Sequence, residues 1–360
     1  MKHIILMVLT AVCFMAEPCQ WDQYLGNPGR TGYSQCRGPH SPEILWDIEL
    51  PGYADTPFIV EDKVMVLCKN SPAADFTDSG IAVVDLLTGT LLEKNMAGVH
   101  HLTGAYPAGD LVLGTTGGRL YRIDPVSGTA PFDILIPDKR SYTPHRHPVI
   151  LPDRVIFPTI PAVCLSRNDY TTLWNLQLSL GPLYPENGKT QNIAASADRI
   201  FVVLEGEDTR IWAVDPNTGK LIWVSDPFPG IAIAADESFV FVGGDDLYAL
   251  DAGTGELLWS FEIESPRSNI MVGPDAVYLT DTQNYLYAVD KNTGVLKWKS
   301  PWQETTPFWI TYIVGAGDTI VCSNVLNLTS FSAEDGTVLW NIHSQNFIDV
   351  YPDQPCPAVT

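Results

Sequence analysis

At 360 residues, with 45% hydrophobic and 18% charged side chains, the chain is too apolar for a disordered polymer and has enough apolar mass for a large core. Acidic residues outnumber basic ones 42 to 21. The resulting formal charge of −21 repels phosphate backbones and anionic lipid surfaces, and argues against nucleic acid as a partner. Glycine and proline, 28 of each, suit a sheet-rich fold with many tight turns.

Met1-Lys2-His3 followed by the apolar run Ile4 to Val12 has the basic start and apolar middle of a secretory signal. Residues 1–16 are assigned to it, with Ala16 as the last residue; Phe14 is large for the small-residue site a signal peptidase prefers, so the cleavage point stays open. The expected location is secreted or periplasmic. No later apolar run reaches the length of a membrane helix. Loss of Cys13 with the signal leaves Cys19, Cys36, Cys68, Cys164, Cys322 and Cys356, for which fifteen pairings exist. Cys19 to Cys36 is the favoured bridge, a local staple. Cys68, Cys164 and Cys322 lie in strand-like apolar runs and read as small buried hydrophobes. No Cys-x-x-Cys pair is present, so the strongest cysteine zinc signature is missing.

Residues 17–43 read as a leader. From there a line recurs: Ile211-Trp-Ala-Val-Asp215-Pro-Asn-Thr-Gly219-Lys-Leu-Ile-Trp223, then the copies Leu247 to Trp259 and Leu286 to Trp298, built on Asp251 and Asp290. Looser copies keep offsets of four and eight: Asp85, Gly89 and Glu93; Asp124, Gly128 and Phe132; Ser166, Tyr170 and Trp174; Ser332, Gly336 and Trp340. The Asp is expected to accept backbone N–H groups of the following turn, and the Gly to supply its positive φ. The Trp is expected to anchor the outer strand against the next sheet. Asp85, Asp124, Asp215, Asp251, Asp290, Trp174, Trp223, Trp259, Trp298 and Trp340 are therefore structural. Two apolar runs precede each line, giving four short strands per unit. An all-β propeller of four-stranded antiparallel blades follows, over residues 44–340, with residues 341–360 as a tail that packs on or closes it. Seven blades are preferred. Eight is the alternative, because Glu43-Ile-Leu-Trp46 resembles an outer strand without its own Asp line.

The line resembles the PQQ-like, or tryptophan-docking, repeat of quinoprotein dehydrogenases and of the outer-membrane assembly factor BamB, centred on Ala-x-Asp-x-x-Thr-Gly-x-x-x-Trp. Trp21-Asp-Gln-Tyr-Leu-Gly-Asn-Pro-Gly-Arg-Thr-Gly-Tyr-Ser34 also looks like the leader that often precedes such propellers. The resemblance implies a fold rather than a cofactor: the vicinal Cys-Cys that sandwiches quinone in those dehydrogenases is not in this sequence, so PQQ is not expected.

Function is expected in the connections from each outer strand to the next inner strand. These hold His100, His101, Arg140, His145, Arg146, His147, Tyr184, Glu186, Asn187, Asp226, Arg267, Asn269, Trp302 and Glu304, with Phe228 and Trp309 among their aromatics. Such rigid aromatics and charges suit capture of a protein, peptide or glycan, or else a solvated face with its aromatics packed underneath. His100, His101, His145 and His147 are weak candidates for a metal. No Gly-x-Ser-x-Gly elbow or phosphate loop is visible, and no catalytic residue is assigned. The leading expectation is a non-catalytic, monomeric, extracytoplasmic binding scaffold. The alternatives are a small quinoprotein or metal-dependent enzyme working at the channel mouth, and a structural module of a cell envelope.

Overall fold

A computed structural model of the chain describes residues 21, 23, 25–50, 53–54, 57–69, 79–95, 104–108, 111–116, 119–123, 132–135, 147–186, 188–205, 208–263, 268–301, 312–323 and 327–343. The chain divides into two compact units, one of residues 1–26, 32–135 and 304–360, the other of residues 27–31 and 136–303.

The second unit holds four sheets, each an antiparallel meander of four consecutive strands. In chain order these are Val149–Ile150 to Thr172–Asn175 (the third sheet), Lys189–Ala195 to Leu221–Val224 (the fourth), Gly230–Ala235 to Leu257–Phe261 (the fifth) and Met271–Val272 to Leu296–Pro301 (the sixth). Their middle strands are apolar on both faces. Ile200, Phe201, Val202, Val203 and Leu204 are all fully buried, because the fourth sheet packs on the third on one side and on the fifth on the other. Burying each such side chain is worth about 1.5–3 kcal/mol. Val202 and Ile193 of the fourth sheet pack with Ile156 and Trp174 of the third, while Phe201 and Val203 pack with Val240 and Val242 of the fifth.

The first unit holds three sheets. The second sheet, Gly104–Ala108 to Phe132–Leu135, is another four-strand meander, and the seventh, Tyr312–Ala316 to Val338–His343, gains Tyr33–Ser34 as a parallel fifth strand beside its innermost one. The first sheet differs. Its inner position is shared by two short strands, Tyr53–Ala54 and Phe58–Val60, which both pair with Lys63–Lys69. Trp21 exchanges two backbone hydrogen bonds with Ile59 and packs with Val64, Val314 and Trp340, wedging the leader into the core of this unit.

Four-stranded antiparallel propeller blades are thus present, but the expectation of seven blades, with eight as the alternative, is corrected to six. Six are uninterrupted four-strand meanders, and the sheet carrying Asp85 is built otherwise. Glu43 to Trp46 form no strand, and the tail from residue 344 lies outside the described residues. Cys68, Cys164 and Cys322 are buried and in no disulfide, as expected, and burial pushes the Cys164 thiol up to about 12, so it stays protonated and inert. Cys36 is disulfide-bonded; Cys19 lies outside the described residues. No helix among the described residues is long and apolar enough to cross a membrane.

Candidate functional site

The repeat turns form the frame on which any site sits. The Oδ1 of Asp215 accepts from the N–H of Asn217 (3.0 Å) and Thr218 (2.8 Å) and from the Thr218 hydroxyl (2.8 Å). Asp85, Asp251 and Asp290 do the same with Thr88, Thr254 and Thr293. These bonds, the threonine hydroxyl first, hold the carboxyls of Asp215 and Asp290 below their ordinary range. The two serine-headed lines solve the turn differently. There the serine Oγ accepts the N–H at offset two, Asn168 to Ser166 (3.2 Å) and Glu334 to Ser332 (3.3 Å), and a carboxylate at offset three adds a second acceptor: Asp169 takes the N–H of Thr171, and Asp335 that of Thr337. Asp124 lies outside the described residues.

The outer-strand tryptophan of each of the third to fifth sheets docks on the next turn. The indole N–H of Trp174 donates to the Pro216 carbonyl (2.9 Å), Trp223 to Ala252 (3.0 Å) and Trp259 to Lys291 (3.1 Å), in each case the residue after the next repeat aspartate. The ring lies over the next repeat glycine. Gly255, at φ +77°, would bring a side-chain carbon within 2.5 Å of Trp223, so close approach and positive φ both demand glycine there. At these seams an indole bond and a close ring contact join each outer strand to the next sheet's turn. Trp46, off any strand, makes the same contact with the Leu86 carbonyl (2.9 Å) and Gly89, whereas Trp340 docks on Pro39 of the leader (2.9 Å).

Inside the second unit the leader segment Asn27–Thr31 lies across three inner strands. The Pro28 carbonyl accepts from the N–H of Ala195 (2.8 Å), Gly29 from Ala235 (2.8 Å) and Thr31 from Val272 (2.7 Å), one bond for each of the fourth, fifth and sixth sheets. Arg30 is buried among them and donates to the Asn192 side chain and to the His147 carbonyl. Sequence reading treated Arg30 as part of a leader and missed this role. The available signal was its place in Pro-Gly-Arg-Thr-Gly, since a methyl on Gly29 would overlap the Ala235 carbonyl.

At the opposite end from the repeat turns, the connections between sheets are tied to the hairpins beside them. Phe228 donates its N–H to Thr209 (2.9 Å), and Ile263 donates to the Asp246 carboxylate (3.2 Å). A short helix, Leu176–Leu180, unforeseen in the sequence, caps its start with Asn175 and leads to Tyr184. The Tyr184 hydroxyl donates to the Gly188 carbonyl (2.9 Å), and burial pushes its pKa up to about 12, so it is a neutral donor at any physiological pH.

Of the expected site residues, Glu186 and Asp226 are exposed on these connections, and Tyr184 and Asn269 are half-buried. Phe228 is buried against Tyr248 with ring centroids 5.0 Å apart, which makes it a support of the loop rather than a presented contact. His147 is half-buried just before the third sheet, with its carbonyl engaged by Arg30. His100, His101, Arg140, His145, Arg146, Asn187, Arg267, Trp302 and Glu304 lie outside the described residues. A group missed from sequence is the buried Asp281, which accepts from the Tyr287 hydroxyl (2.6 Å) while the Lys299 ammonium sits 4.6 Å from the Tyr287 ring centroid. Among the described residues no group of histidine, cysteine and carboxylate side chains could hold a metal.

A family model described as outer membrane protein assembly factor BamB matches residues 207–346, less than half of the chain. No curated protein matches in a sequence search. Solved structures do. The computationally designed protein Ika8 aligns at 12% identity over 82% of this chain and 89% of its own, with a TM-score of 0.67. BamB from Moraxella catarrhalis aligns at 17% identity over 82% and 89%, TM-score 0.58. The quinohemoprotein alcohol dehydrogenase from Comamonas testosteroni aligns at 13% identity over 91% and 74%, TM-score 0.65. These likenesses are of fold.

Proposed function

Starting from a chain that is a PQQ-like repeat β-propeller, we propose that it is a non-catalytic extracytoplasmic scaffold whose loop face binds a protein or peptide partner. The observation that carries this reading is the pinning of the connections: Tyr184 to Gly188, Phe228 against Tyr248, and Ile263 to Asp246. A face ordered before binding loses little conformational entropy on docking, and the exposed Glu186, Asp226 and Asp245 give it acidic contact points. The similarity to BamB, an assembly factor by its description, favours a protein over a glycan as the partner.

The test is chemical crosslinking in the native envelope extract with the wild type and with a Glu186→Lys, Asp226→Lys variant of unchanged thermal stability. Loss of the crosslinked species in the variant supports the reading; identical crosslinks in both overturn it. The quinohemoprotein likeness supports a second reading, an enzyme using a bound quinone. Titration with PQQ and calcium separates the two: a saturable quinone absorbance on the protein, with dye-linked alcohol oxidation, would favour the enzyme.

A further inference from the structure

An outer strand leaves one backbone edge of its sheet unpaired, and proteins guard such edges with charge, proline, brevity or a covering element. In the second unit three outer strands are guarded. Thr172–Asn175 runs directly into the helix Leu176–Leu180. Leu221–Val224 is four residues long and follows Lys220. Leu296–Pro301 carries the exposed Lys297 and Lys299 and ends in proline. The outer strand of the fifth sheet, Leu257–Phe261, has charge only at its flanks, Glu256 and Glu262: within itself it holds no charge and no proline, no helix follows it among the described residues, and Leu257 and Leu258 are 53% and 48% exposed.

The surroundings select what can pair with it. From residue 221 to residue 266 the chain contains Asp226, Asp236, Glu237, Asp245, Asp246, Asp251, Glu256, Glu262 and Glu264, and no lysine or arginine. Glu256 and Glu262 flank the strand and are both exposed. A second copy of this chain, paired antiparallel about Trp259, would set Glu256 opposite Glu262 at both ends, and like charges directly opposed destabilise a ladder. A strand with apolar alternation and lysine or arginine at its ends meets the reverse situation, opposite charges at both flanks.

We infer that the fifth sheet's outer strand, Leu257–Phe261, is a strand-addition site for an extended, basic-flanked segment of a protein partner, separate from the loop face.

The probe is a fluorescein-labelled heptapeptide, Lys-Val-Thr-Val-Thr-Val-Lys, followed by fluorescence anisotropy against the full chain, with the Glu-flanked peptide as control. Expected are saturable binding that weakens in high salt, at least about tenfold preference over the acidic peptide, and new hydrogen-exchange protection at Leu257–Phe261. Leu258→Lys, which copies the guard of the sixth sheet, should weaken binding at least about tenfold, whereas Leu258→Glu should retain it. The Glu186→Lys, Asp226→Lys variant should also retain it, so failure of this site and failure of the loop-face reading are distinguishable. The inference is overturned by absent binding, by equal binding of the acidic peptide, by indifference to Leu258→Lys, by protection elsewhere than this strand, or by self-association through it in sedimentation.

Discussion

Two segments of the second unit do comparable work by opposite means. The repeat turns headed by Asp215, Asp251 and Asp290 join each sheet to the next through one indole, one carbonyl and one glycine. The leader segment Asn27–Thr31 joins three sheets at their inner strands through the carbonyls of Pro28, Gly29 and Thr31 and through one arginine. The turns are interchangeable in chemistry and each is set by its own dozen residues. The leader is a single copy whose bonds to the sheets each reach more than a hundred residues away in sequence. Seams made of repeated parts should therefore fail one at a time, and a seam made by one strap should fail all at once.

The largest effect is expected at Gly29. Gly29→Val drives a side chain into the Ala235 carbonyl and lifts the strap from the fourth to the sixth sheet, at a cost of about 3 kcal/mol or more. Gly253→Ala, in a repeat turn where the new carbon meets only the Asp251 carboxylate at 3.1 Å, should cost well under that. Urea unfolding of both variants checks the contrast; equal midpoints would mean that the strap contributes no more than a turn. Arg30→Met comes next. It removes the buried donors to Asn192 and His147, and about 2–3 kcal/mol is expected from leaving those acceptors unmet. Hydrogen exchange should then rise at Ala195, Ala235 and Val272 together.

A seam of the repeat is expected to yield less and more locally. Trp223→Phe keeps the apolar packing but deletes the bond to Ala252, and about 1–2 kcal/mol should be lost with exchange rising mainly between the fourth and fifth sheets. Simultaneous loosening of the sixth sheet would show that the seams are coupled and that the contrast with the strap is false.

The same contrast explains what could be read from the sequence. Offsets of four and eight survive because a turn needs its acceptor, its positive φ and its indole at fixed local distances, so Asp215, Gly219 and Trp223 announced themselves. Even Tyr170 obeys the rule: it takes the glycine slot at φ +57°. The strap was opaque because its bonds come from backbone carbonyls, which every residue has; only the glycines beside Arg30 hinted at close approach. Trp46 misled for a related reason. It has the docking contact of an outer-strand tryptophan without the strand, so a motif for the contact was read as a motif for the element. The site was less legible still, since an aromatic in a connection looks alike whether it is presented or, like Phe228, buried against Tyr248.

The smallest effect concerns acid, and it tests whether the two kinds of repeat turn are equivalent. Asp215 and Asp290 in the aspartate-headed lines, and Asp169 and Asp335 in the serine-headed ones, are all held below their ordinary pKa by hydrogen bonds, chiefly from threonines. A carboxyl whose pKa is lower folded than unfolded contributes its stability above the unfolded value, near pH 4, and loses it as pH falls through the lower folded value. The urea midpoint of the wild type should therefore decline from about pH 5 downward as these sites protonate. Asp215→Asn keeps an oxygen acceptor but no charge, so it should lie slightly below the wild type at neutral pH and converge with it in acid. Asp335→Asn should converge in the same way if a carboxylate at offset three serves the turn as well as one at its head. Because these groups sit at the surface, salt screens their charge and each difference should be small. A variant that stayed parallel to the wild type down to acid pH would show that its aspartate acts through the geometry of its acceptor oxygen alone, and would separate the serine-headed turns from the others on physical grounds.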